Sequence, residues 1–184
     1  LYFADWSRAG LVRVSLGATP EAHYYPNTLG DWAQELTISN GIIYTQANNG
    51  IVAKYDSATD TYTDNWLDLS SSCALEGIAS SAYGTLFLAC NASGTIYEVD
   101  TTTKQKVAFY AADYSAGYEQ ITVTSNGDLL AATDQGYALR LATSRANFNA
   151  LAAAADITDS NAVEALITAE NWSGARTAYD ALSV

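Results

Sequence analysis

The hydrophobic and polar positions of this chain fall into short runs that alternate with a period of two, the pattern of strands whose two faces meet different surroundings. In TIYEV, Thr95, Tyr97 and Val99 share one side, and Ile96 and Glu98 the other. Glycines and Ser-Asn pairs punctuate the runs, because these residues accept left-handed backbone or cap a turn with a side chain. Four segments repeat one plan of apolar stretch, turn, second apolar stretch and glycine: LTISNGIIYTQANNG from Leu36, IASSAYGTLFLACNASG from Ile78, ITVTSNGDLLAATDQG from Ile121 and ITDSNAVEALITAENWSG from Ile157. LYFADWSRAG, at the start, supplies only the second half of that plan.

The closing glycines are Gly10, Gly50, Gly94, Gly136 and Gly174, at intervals of 40, 44, 42 and 38 residues. An aspartate follows six residues after three of them, at Asp56, Asp100 and Asp180. Such a period is the blade length of a β-propeller, built from four-stranded antiparallel sheets. The sequence therefore predicts an all-β propeller, one domain over 1–184, with four to five repeats of 38–44 residues and incomplete terminal blades. The blades are expected at about 1–30, 35–70, 76–112, 119–151 and 156–184. Inner, second and third strands are predicted at 35–39, 42–47 and 51–56, and the next blade at 77–80, 85–90, 95–100 and 106–111. A second reading places a C-terminal helical pair after the blades, from about residue 145, because 150–155 and 162–182 have helical composition. Strands are favoured there, since Ser160, Asn161 and the interval from Gly174 to Asp180 keep the register of the earlier blades.

Composition narrows the partners. Hydrophobic residues make up 49% and charged residues 15%, as in a chain with a packed core. Twenty acidic against eight basic residues give a net charge of −12, which repels nucleic-acid phosphates and anionic lipid heads alike. No apolar run approaches the roughly 20 residues of a bilayer span, so membrane insertion is not expected. The chain contains no methionine and Leu1 opens onto strand-like sequence, so the natural start is expected upstream.

LYFADWSRAGLVRVSLGA resembles the repeat of YWTD propellers, in which a Leu-Tyr-x-x-Asp strand precedes an Ile-x-Arg strand. LEGIASSAYGTLFLACNASGTIYEVD is similar instead to the Glu-Gly-Ile/Pro blades of NHL, SMP-30/gluconolactonase and strictosidine-synthase-like propellers. The resemblance implies an architecture rather than one activity, because that superfamily holds receptors, scaffolds and hydrolases. Its members usually have six blades, whereas about four and a half are visible here.

Glu35, Glu76 and Glu119 open successive inner strands and read as one repeated position. They form either a carboxylate ring for a divalent cation such as calcium, as the SMP-30-like resemblance implies, or a repeat feature bonding the neighbouring blade. Recurrence in every blade favours the second, and only Glu76 carries the Gly-Ile that follows in the family motif. His23 is the only histidine, which leaves almost no material for a zinc site or a histidine-based triad. Asp56, Asp60, Asp64 and Asp68 recur every fourth residue but lack the glycine and terminal glutamate of a calcium loop, and read as solvated turns. Trp6, in ADWSRAG with Arg8 and Arg13 nearby, is the candidate sugar-stacking residue.

Folding the hairpin about Ala82 brings Cys73 opposite the end of the strand at Cys90. A disulfide there closes an 18-residue segment and is worth roughly 3 kcal/mol in the chain-entropy model. It implies an oxidising compartment. The alternative is two buried thiols. Glycosylation sequons at Asn91 and Asn171 fall in turns between second and third strands, where acceptors are exposed. The expected function is a non-catalytic, extracellular or cell-surface propeller module for binding or self-assembly, without a cofactor. Its partners are other copies, through incomplete terminal blades, and glycans. The alternative is a metal-dependent hydrolase or lactonase of the SMP-30-like class centred on Glu76.

Overall fold

The computed structural model describes residues 1–141 apart from 8–9, 29–31, 83, 112–116, 126 and 137. The described residues contain fourteen strands in four sheets and no helix. Strands β1 (Tyr2–Asp5), β2 (Gly10–Val14) and β3 (Ala22–Pro26) form the first sheet, in that order. The second orders β4 (Ala33–Ser39), β5 (Ile42–Ala47), β6 (Ile51–Asp56) and β7 (Thr61–Asp68). Strands β8 (Leu75–Ser80), β9 (Thr85–Cys90), β10 (Thr95–Asp100) and β11 (Lys106–Ala111) make the third, and β12 (Tyr118–Val123), β13 (Leu129–Thr133) and β14 (Ala138–Leu141) the fourth. Chain neighbours pair in antiparallel register across the first three sheets, giving the meander of propeller blades.

Strands β5, β6, β9, β10 and β11 keep the bounds expected from the sequence, and the inner strands β4 and β8 begin two residues earlier. Every residue of β9 is buried, so TLFLAC reads as one continuous run: a mid-blade strand is covered on both faces. Strand β11, at the outer edge, is mostly exposed. Tyr44, Val52, Trp66, Leu75, Leu88 and Val99 form one core cluster across the second and third sheets. Leu11, Tyr25, Ile43 and Tyr55 form another across the first and second. Each large apolar side chain so buried contributes about 1.5–3 kcal/mol.

The glycine that closes the second repeat is sterically required. Gly50 has a φ of 91°, and a Cβ there would lie 2.5 Å from the Cys73 carbonyl oxygen. Cys73 itself is bonded to Cys90 in a disulfide with a Cα–Cα distance of 5.1 Å, which ties the approach to β8 to the end of β9.

The chain divides into two compact units, one of Leu1–Thr122 with Ala131–Leu139, the other of Val123–Leu130 with the chain from Arg140. Within the second, the Arg140 guanidinium donates to the buried Asp128 carboxylate through Nε at 2.6 Å. The last blade expected at 156–184, the alternative helical pair and Asn171 all lie outside the described residues.

Candidate functional site

One backbone bond recurs where an inner strand begins and a second strand ends. The amide N–H of Asn48 donates to the Trp32 carbonyl at 3.0 Å, that of Asn91 to Ala74 at 2.9 Å and that of Asp134 to Gly117 at 2.8 Å. These bonds make Trp32, Ala74 and Gly117 equivalent. Each ladder then slips by one residue, between Ala33 and Leu36 in β4 and between Leu75 and Gly77 in β8, the signature of a β-bulge. Counting from the shared bond, Gln34, Glu76 and Glu119 are equivalent, and Glu35 matches Gly77. The three glutamates are therefore not one ring. Glu35 sits one place along, an offset within the bulge that alternation alone does not reveal.

That second bulge position faces the next blade. Glu35 Oε2 accepts the Ile78 amide N–H at 2.9 Å, a bond from β4 to β8. Burial outweighs it and pushes the Glu35 carboxyl up to about 7. At Gly77 a Cβ would lie 3.0 Å from Ile121 Cγ1 and 3.2 Å from its backbone nitrogen, so an added side chain would press on β12.

The first bulge position carries the polar chemistry. Glu76 Oε1 accepts from Asn48 Nδ2 at 2.5 Å, and the carboxylate also bonds the side chains of Gln34 and Asn91. Burial holds Glu76 above the ordinary carboxylate range, those amide bonds pull it down, and the nearby Glu119 charge pushes it up. The result is two carboxylates among three carboxamides, offering donors and acceptors from three blades. Among the described residues, no group of three or more histidine, cysteine, aspartate or glutamate side chains is placed to hold a metal ion. Asn91, read as an exposed acceptor, is half-buried with its carboxamide engaged by Glu76.

Two tryptophans lie at the same end of the blades. Trp6 directly follows β1, as Asn48 follows β5 and Asn91 follows β9, while Trp32 directly precedes β4. Both are exposed, at 57% and 47%, and their ring centroids are 5.4 Å apart with planes inclined by 34°. The sequence singled out Trp6 alone. Its partner becomes visible once the register shows that Ala74 and Gly117 fill the place of Trp32 in the next two blades.

A separate network joins the first two sheets. Asp60 Oδ1 accepts from Tyr55 Oη at 2.7 Å, Tyr25 Oη at 2.8 Å and an Arg13 terminal nitrogen at 3.2 Å. The tyrosine bonds, with the Arg13 charge, hold Asp60 below the usual carboxylate range. The His23 ring packs 4.4 Å from that of Tyr25, and the Tyr62 hydroxyl is buried without a hydrogen-bond partner among the described residues. Asp56 and Asp68 cap turns by accepting the Ala58 and Ser70 amides, whereas Asp64 accepts the Thr28 hydroxyl. Asp60 is exposed, as expected of a turn, yet gathers three donors.

No family model and no curated protein matches the chain. Solved structures do. A chain of a nidogen/laminin complex aligns with a TM-score of 0.59 at 14% identity, over 78% of this chain and 61% of that one. Virginiamycin B lyase from Staphylococcus aureus aligns at 0.58 and 14% identity, over 76% and 50%. A streptogramin B lyase gives 0.58 and 16%, over 76% and 49%. The chain thus spans between 49% and 61% of the length of these structures. At this identity the likeness defines the fold alone: a β-propeller structurally resembling the nidogen and virginiamycin-lyase kinds.

Proposed function

We propose that this chain is a non-catalytic extracellular β-propeller module that binds its partner at the blade end carrying Trp6, Trp32 and Glu76. The observation that carries the reading is the exposed, mutually packed Trp6–Trp32 pair. Two large aromatic side chains left to solvent where the next blades have small or polar residues are surface reserved for contact. The Cys73–Cys90 disulfide supports an oxidising location, and glycosylation at Asn171 belongs to the same proposal, whereas the Asn91 carboxamide is taken up by Glu76. Self-association through the terminal blades rests on segment 156–184, outside the described residues.

A second reading, a metal-dependent hydrolase or lactonase, is favoured by one observation: the Glu119 charge lies near enough to Glu76 to raise its pKa, a pair of carboxylates of the kind that binds a hard cation. The deciding experiment incubates the folded chain with a panel of lactones and calcium, manganese or zinc while following thermal unfolding. The expected result is no turnover and no metal-dependent stabilisation. A metal at one hundred times its Kd adds about 2.7 kcal/mol; that gain, with turnover abolished in Glu76→Gln, would overturn the non-catalytic reading.

A further inference from the structure

We infer that the occupant of the Trp6–Trp32 surface is a neutral carbohydrate, a pyranose ring stacked on the open face of the pair with its hydroxyls turned to the adjoining amides. The inference rests on the binding-module reading above and names its ligand class. With centroids 5.4 Å apart the two indoles already touch each other, so nothing enters between them and a ligand must lie flat on their solvent side. The C–H face of a pyranose fits such a surface, and its rim needs groups that both donate and accept. Gln34 and Asn48 supply them. Gln34 follows Trp32 by two residues, and the backbone N–H of Asn48 is bonded to the Trp32 carbonyl, so both residues adjoin Trp32 along the backbone, with their carboxamides bonded to Glu76. Asn48 also bonds Glu76, so the polar row continues from the tryptophans into the carboxylate and amide cluster. A purely apolar protein partner has no use for that row, and a net charge of −12 selects against sialylated or sulfated glycans.

The test is a neutral-glycan array followed by calorimetry with the strongest binder and with a simple hexose oligosaccharide. Trp6→Ala and Trp32→Ala are expected to weaken binding about tenfold or more each, with unchanged circular dichroism, because both rings are exposed. Leu16→Ala, exposed at 79% beyond the other end of β2, is expected to bind as the parent does. Indole fluorescence should shift on titration in the parent and lose that shift in the double tryptophan variant. A folded parent that binds no neutral glycan, or binding that survives both tryptophan substitutions, overturns the inference. Capture of an apolar peptide in place of glycan overturns it too, while leaving the binding-module reading intact. Metal-dependent lactone turnover is the separate outcome that defeats the underlying reading.

Discussion

Tyr55 and Asp60 face each other across the turn from β6 to β7, the tyrosine hydroxyl donating to Asp60 Oδ1 at 2.7 Å. Asp60 holds a φ of 51°, a left-handed conformation that aspartate and asparagine tolerate better than most residues. The same oxygen takes bonds from Tyr25 and Arg13 of the first sheet. Asp60→Asn is therefore expected to destabilise less than Asp60→Ala, which loses the acceptor and the backbone preference together. Tyr55→Phe removes one hydroxyl from a fully buried ring and should cost about 0.5–1.5 kcal/mol. Urea midpoints order the three variants, and equal losses in the two Asp60 variants would contradict the assignment.

Glu35 gives stability a definite dependence on pH. Its carboxyl rises from an ordinary value of 4.5 to about 7 on folding. The folded chain thus holds a proton there that the unfolded chain has already released. The contribution is full below 4.5 and is lost as pH rises through about 7. Denaturation midpoints should fall over that range, and Glu35→Gln, which keeps an oxygen for the Ile78 amide, should flatten the fall. A variant with the parent slope would assign the effect to another group.

The Cys73–Cys90 bond is expected as a cross-linked peptide in nonreducing mass spectrometry. Replacing both cysteines by serine should cost about 3 kcal/mol from loss of the loop constraint. The two sulfurs lie in the cluster that joins the second and third sheets, so the variant also places hydroxyls in an apolar setting. Reduction of the parent under gentle conditions separates these contributions. Undiminished stability after complete reduction would remove the bond from the account.

Gly77 tests the seam between β8 and β12. A methyl group there meets Ile121 at 3.0 Å, and Gly77→Ala should cost about 1–3 kcal/mol through strain. Gly17→Ala is the control, with nothing within 4 Å, and should remain within about 0.5 kcal/mol of the parent. Equal unfolding curves for the two variants would show that the sheets part easily at Gly77.

The repeat was legible because its signals are local. Gly50 and Gly94 mark turns, and IIYTQA and TLFLAC sit between such marks, so β5 and β9 follow directly. The Cys73–Cys90 pairing was legible from the same hairpin register. Glu35 was misplaced by one position because a bulge adds a residue without disturbing composition or the apolar pattern on either side. The Asp60 network stayed hidden for another reason. Its donors Arg13 and Tyr25 lie 47 and 35 residues away, and only the packing of one blade on the next brings them together. Trp32 carries no mark in the sequence, since exposure depends on what surrounds a side chain.

The bulge that opens β4 and β8 separates two kinds of inheritance in one strand. Of its two consecutive residues, the second governs how closely blades approach, as Glu35 and Gly77 do, and the first faces the polar row, as Gln34 and Glu76 do. If the blade end binds a partner as proposed, a change at the first position is expected to alter the polar row it presents without adding bulk between the blades. The two demands, a polar surface at the blade end and a fixed distance between blades, thus fall on neighbouring residues and can vary independently from one blade to the next.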